Sequence, residues 1–135
     1  MQYQGGKSRI SKQIAEKINE ISRWEIEDSK SNSRDNIEHM FKRESRCFVS
    51  LFCGSCSIES KITGFDRKIL NDSQQYLIAL LNGVKNGYVL PEFISEEAYK
   101  YVKNHKDEDK VLTGFVGFGC SFGGGFFQGY ARNKE

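Results

Sequence analysis

At 135 residues, with 38% hydrophobic and 13% aromatic side chains, the chain has the length and apolar content of one folded domain, which excludes disorder throughout. A net charge of +2 neither argues for nucleic acid nor forbids it. No apolar run reaches the roughly 18 residues of a membrane-spanning helix, the Gln/Gly/Lys start lacks the apolar core of a signal peptide, and the four cysteines read as cytosolic thiols rather than a disulfide framework.

The first 24 residues combine Gly5-Gly6-Lys7, where backbone can come close to a ligand, with a helical pattern. Ile10, Ile14, Ile18 and Ile21 form one apolar stripe behind a possible cap at Ser8. Residues 25–46 are charged and poor in apolar side chains, so a polar inserted loop is expected there, with at most a short helix near Ile37–Phe41. Cys47–Phe52 is the best strand. It breaks at Gly54, Ser57–Ile62 follows as a helix start, and Lys68–Asn71 forms a second short strand that ends on Asp72.

From Ser73 the pattern is helical again. Tyr76, Leu80 and Val84 are expected in the core, and Asn86-Gly87 supplies the stop. Ser95 caps a further helix through Ala98, Tyr99 and Val102. The acidic group Glu96, Glu97, Asp107, Glu108 and Asp109 reads as a solvated face. Thr113–Tyr130 carries seven glycines and six aromatics without a charge, so it cannot continue as an ordinary amphipathic helix beyond its first turn or two. Strand, turn, helix, strand, helix is the order of an α/β fold, expected here as one domain over 1–135 whose cofactor unit spans 47–88 and whose last part, 89–135, is a helix and the Gly/aromatic segment.

Gly54 follows one strand, and Asp72 follows the next 18 residues later. In a βαβ unit that binds a nucleotide, the small turn admits the ligand to the backbone and the later carboxylate accepts the ribose hydroxyls. The same spacing also suits a structural turn and a helix-capping Asp. With Gly5-Gly6-Lys7, Phe52-Cys53-Gly54-Ser55-Cys56-Ser57 and Asn71-Asp72 in this order, the chain resembles adenine-N6 DNA methyltransferases of the Dam type, phage-borne members especially.

The resemblance implies a truncated Rossmann-like methyltransferase half-domain with a short, mostly parallel sheet, in the cytoplasm of a phage-infected host. It implies S-adenosylmethionine as cofactor, flanked by Tyr3, Gly5, Gly6 and Lys7, with Phe52, Gly54 and Ser57 in its turn and Asp72 on the ribose. Two departures stand out. Ser50-Leu51 replaces the family's acidic residue and proline before the turn, and Cys56 replaces a glycine inside it. The Asp-Pro-Pro-Tyr motif that receives the adenine amine is absent from the 135 residues, whose one proline is Pro91, so no catalytic residue is assigned.

Cys53-x-x-Cys56 has no second pair to complete a metal site, and none is expected. The aromatic segment, with Phe118, Phe122, Phe126, Phe127, Tyr130 and nearby Arg132, is either hydrophobic packing or a surface for DNA or a protein partner. Two functions stay open. One is a cofactor-binding portion of a methyltransferase that does not act alone, and the other is a repurposed anti-defence protein that blocks a host restriction or CRISPR nuclease by contact. Open sheet edges favour a homodimer or a complex in both.

Overall fold

The computed structural model describes residues 9–31 and 45–132. They fall into two compact units, residues 9–71 and residues 72–132. The fold class is α/β, with a two-stranded parallel sheet among the described residues.

The first unit holds α1 (Ser11–Ser31), β1 (Cys47–Ser50), a 3-10 turn (Glu59–Lys61) and β2 (Arg67–Leu70). The strands run parallel in the register Cys47↔Arg67 to Ser50↔Leu70. The helix start expected at Ser57–Ile62 amounts to that single 3-10 turn. The crossover is held instead by α1, because Asn19 accepts from the Thr63 N–H (2.8 Å) and donates to the Lys61 carbonyl (3.1 Å). Arg46 does the same from the other end, donating to the Ser22 carbonyl and hydroxyl at 3.0 Å each.

This corrects the expected isoleucine stripe. Ile10 and Ile21 are exposed and Ile14 and Ile18 only half-buried, while the fully buried positions of α1 are Ser11, Ala15 and Ser22. Small side chains at helical spacing let the crossover's carbonyls come within hydrogen-bonding reach of the helix, and a stripe of isoleucines would hold them off. Helix α1 also continues to Ser31, two turns into the stretch expected as a loop. The rest of that stretch, Ile37–Phe41 included, and the Ser8 cap lie outside the described residues.

The second unit is helical: α2 (Gln75–Lys85), α3 (Glu96–Asn104) and α4 (Lys110–Gly114), then a π turn (Phe115–Gly119) and a 3-10 turn (Phe122–Gly124). Ser95 caps α3 as expected, its hydroxyl accepting from the Ala98 N–H at 3.2 Å. Tyr76, Leu77 and Leu80 of α2 are buried. Val84 is exposed, against expectation, because α4 meets the last turn of α2 through Val111 over Gly83, one position away.

The Gly/aromatic stretch is a closed loop rather than a long helix. Ser121 and Tyr130 form an antiparallel bridge, with Phe122 N–H to Gly129 carbonyl at 2.8 Å and Ala131 N–H to Cys120 carbonyl at 2.9 Å. Tyr99 anchors the loop from α3: its hydroxyl bonds the Ser121 hydroxyl (2.8 Å) and accepts from the Gly129 N–H (3.2 Å). Val102, Val116 and Phe127 complete the core around it.

In the acidic run 107–109, Asp107 and Glu108 are exposed, as expected of a solvated face, and Asp109 is half-buried. Each of its carboxylates accepts from a tyrosine: Asp107 from Tyr76 (3.2 Å), Glu108 from Tyr101 (3.0 Å) and Asp109 from Tyr88 (2.6 Å). Asp109 also caps α4, accepting from Val111 and Leu112 N–H at 3.0 and 2.9 Å. Burial alone raises its carboxyl pKa, but the Tyr88 hydroxyl and the two backbone N–H groups outweigh that and hold it below the usual value. A depressed folded pKa stabilises the fold above the ordinary carboxylate value of about 4, and that contribution is lost as pH falls through the folded value. Asp109→Ala is expected to cost about 1–2 kcal/mol near neutral pH. Urea unfolding should find the deficit shrinking below about pH 4, and a deficit independent of pH would refute the assignment.

Candidate functional site

The end of β1 turns sharply. Asn71 bonds both sides of that turn, its N–H to the Ser50 carbonyl (2.8 Å) and its carbonyl to the Cys53 N–H (2.9 Å), which holds the C-terminal ends of β1 and β2 together. The chain then reverses through Cys53–Cys56, closed by Cys56 N–H to Cys53 carbonyl at 2.8 Å. Gly54 sits at φ +50° and Cys56 at +56°. The left-handed region suits a glycine and strains a cysteine by about 1 kcal/mol. The position where the family's second glycine is expected is thus one whose backbone asks for glycine.

Phe52 projects its ring into solvent at 78% exposure. Ser57 is half-buried, its hydroxyl 2.8 Å from that of Ser55 and its carbonyl accepting from the Lys61 ammonium at 2.6 Å. Behind the turn, Ser50 donates to the Glu59 carboxylate at 2.7 Å. Phe52, Gly54 and Ser57 therefore come together around one turn at the C-terminal ends of parallel strands, where open α/β sheets bind ligands. The sequence pattern missed Glu59.

Asp72 follows β2 and is half-buried, with its Oδ1 accepting from the Gln74 N–H at 3.0 Å in a turn just ahead of α2, whose cap is Gln74 itself. Tyr3, Gly5, Gly6 and Lys7 lie outside the described residues.

The candidate partner residues divide sharply. Phe118 and Phe127 are buried, Phe126 and Tyr130 are half-buried, and Phe122 is 77% exposed. Phe126 stacks on Tyr76 (5.4 Å between centroids), and the Tyr130 hydroxyl donates to the Ile94 carbonyl at 2.6 Å. Arg132 is exposed and paired with Glu96 at 2.9 Å. Most of these rings belong to the core, which leaves Phe122 as the one that offers surface.

Among the described residues no group of three metal-ligating side chains occurs, and no helix is long and apolar enough to cross a membrane. Comparison with curated proteins and with solved structures gives no match. One family model, described as D12 class N6 adenine-specific DNA methyltransferase, matches residues 29–116, a segment that contains both strands, the Gly54 turn, Glu59 and Asp72. That match covers more than half of the chain, which therefore belongs to the D12 class N6 adenine-specific DNA methyltransferase family.

Proposed function

We propose that the chain is the S-adenosylmethionine-binding portion of a Dam-type, phage-like adenine-N6 DNA methyltransferase, and that it does not transfer methyl groups by itself. The observation that carries this reading is the β1 turn: two left-handed residues at the C-terminal end of a parallel strand pair, inside the segment that matches the family. The residues present fit such a ligand, with an exposed ring at Phe52, a left-handed glycine at Gly54 and a buried carboxylate at Glu59. Phe52 covers the cofactor, and Gly54 and Ser57 border it; that Asp72 meets its ribose is what the family resemblance implies. Tyr3, Gly5, Gly6 and Lys7 take part on the family resemblance alone. When bound, the cofactor supplies an electrophilic methyl group on a sulfonium. The 135 residues contain no Asp-Pro-Pro-Tyr to present an adenine amine to it.

Titration calorimetry with S-adenosylmethionine and S-adenosylhomocysteine tests the reading. Both are expected to bind, and Gly54→Val is expected to weaken them about tenfold or more, since a β-branched side chain cannot hold φ +50° without strain and the turn must shift. Absence of heat from either ligand at millimolar concentration would end the cofactor reading. A second reading, a binding protein directed at DNA or a defence nuclease, has its support in Phe93 and Phe122, two rings left exposed on the 72–132 unit.

A further inference from the structure

Glu59 is the only buried carboxylate among the described residues, at 6% exposure. An ionised carboxylate taken out of water is costly unless hydrogen-bonded and paired. One oxygen, Oε1, accepts from the Ser50 hydroxyl at 2.7 Å. Among the described residues the other has no hydrogen-bond partner, and it is not sealed from solvent.

Lys61 and Lys68 belong to the same crossover, and among the described residues neither pairs with this carboxylate. Lys68 donates to the backbone carbonyls of Glu59 itself (3.0 Å) and of Ile62 (2.6 Å). Lys61 donates to the Ser57 carbonyl (2.6 Å) and the Ser11 hydroxyl (2.9 Å). Their ammonium groups are tied to crossover carbonyls and to the Ser11 hydroxyl, and the carboxylate is left with one acceptor oxygen and no cation among the described residues. Ser50 is the last residue of β1, so its partner carboxylate lies at the C-terminal ends of the strands, the end at which open α/β sheets bind ligands.

We propose that Glu59 is the acceptor for the α-ammonium group at the amino-acid end of the bound cofactor. The inference rests on the proposal that the chain binds S-adenosylmethionine, and it names the residue that handles the ligand's charged tail. Ser50, which stands where related sequences carry an acidic residue, positions the Glu59 carboxylate by hydrogen bond instead of supplying one. The site then discriminates among adenosine thioethers by their tails, and a ligand without the amine forfeits a charge-assisted bond.

The test is calorimetry with three ligands, S-adenosylhomocysteine, its analogue lacking the α-amino group, and 5′-methylthioadenosine, on the wild-type chain and on Glu59→Gln. The wild type is expected to prefer S-adenosylhomocysteine to the other two by about tenfold or more. Glu59→Gln is expected to lose that preference while binding methylthioadenosine as the wild type does. Equal binding of S-adenosylhomocysteine and its des-amino analogue by the wild type overturns the assignment, whether or not the variant folds. So does a Glu59→Gln chain that keeps the preference. Both results leave the cofactor reading standing, because adenosine thioethers still bind. Failure of all three ligands on the wild type sinks that reading and this one with it.

Discussion

Phe127→Ala is expected to lower the stability of the 72–132 unit by about 3–5 kcal/mol, the range for deleting a buried aromatic ring. Phe127 is 6% exposed and meets Tyr99 edge-on at 5.2 Å and Phe126 at 4.8 Å. Its N–H also ties the loop back to the Gly117 carbonyl at 3.0 Å. Alanine would empty the middle of the cluster that holds Tyr99, Val102 and Val116. Phe122→Ala, only a few residues away, is expected to change stability by less than about 0.5 kcal/mol. It should instead weaken capture of any protein or DNA partner, because its ring is solvent-facing. Urea unfolding followed by tyrosine fluorescence or circular dichroism separates the two variants. Similar losses from both would show that exposure does not sort these rings into core and surface.

Gly114→Ala is expected to be nearly as damaging, at about 3 kcal/mol or more, although it adds a single methyl group. A β-carbon built at Gly114 falls on the Tyr76 carbonyl oxygen and 2.9 Å from the Leu80 β-carbon, so α4 rests directly on the backbone of α2. A carbonyl inside a helix cannot rotate aside as a side chain does, and the two helices must separate instead. Gly87→Ala provides the comparison. Nothing lies within 4 Å of its built β-carbon, and its cost is confined to the left-handed φ of +88°, about 1 kcal/mol. If the two variants melted together, close packing at Gly114 would not be what binds α2 to α4.

Much of this fold is legible as pattern. The strands expected at Cys47–Phe52 and Lys68–Asn71 occur at Cys47–Ser50 and Arg67–Leu70, and α3 announces itself by Ser95 ahead of a periodic run. What pattern cannot carry is the partner of each face. In α1 the isoleucines have the right period, but the segment it packs against has carbonyls and a guanidinium to satisfy, so serines and an alanine turn inward. The two turns of α1 beyond Trp24 have too few apolar residues to show a period at all, although nothing in them breaks a helix.

At the site, the Gly54 turn is visible as a small-residue break after a strand, and Asp72 as an acid after the next. Glu59 is not visible in this way. Its importance comes from burial and from Ser50 lying 2.7 Å from its carboxylate, a pairing across nine residues that no local pattern encodes. The acidic run 107–109 was hidden for the same reason, since its three tyrosine partners come from α2, α3 and the segment between them.

The π turn at Phe115–Gly119 holds one residue more per turn than the α-helix it extends. An added or lost residue within an ordinary helix rotates everything after it by about 100°, which would swing Phe118 and the loop beyond it away from Tyr99. Here a deletion has somewhere to go, because removing one residue restores α geometry and leaves the downstream chain in phase. Phe115–Gly119 is therefore the stretch of the 72–132 unit in which a change of chain length can be absorbed with the core of Val102, Val116 and Phe127 still in register.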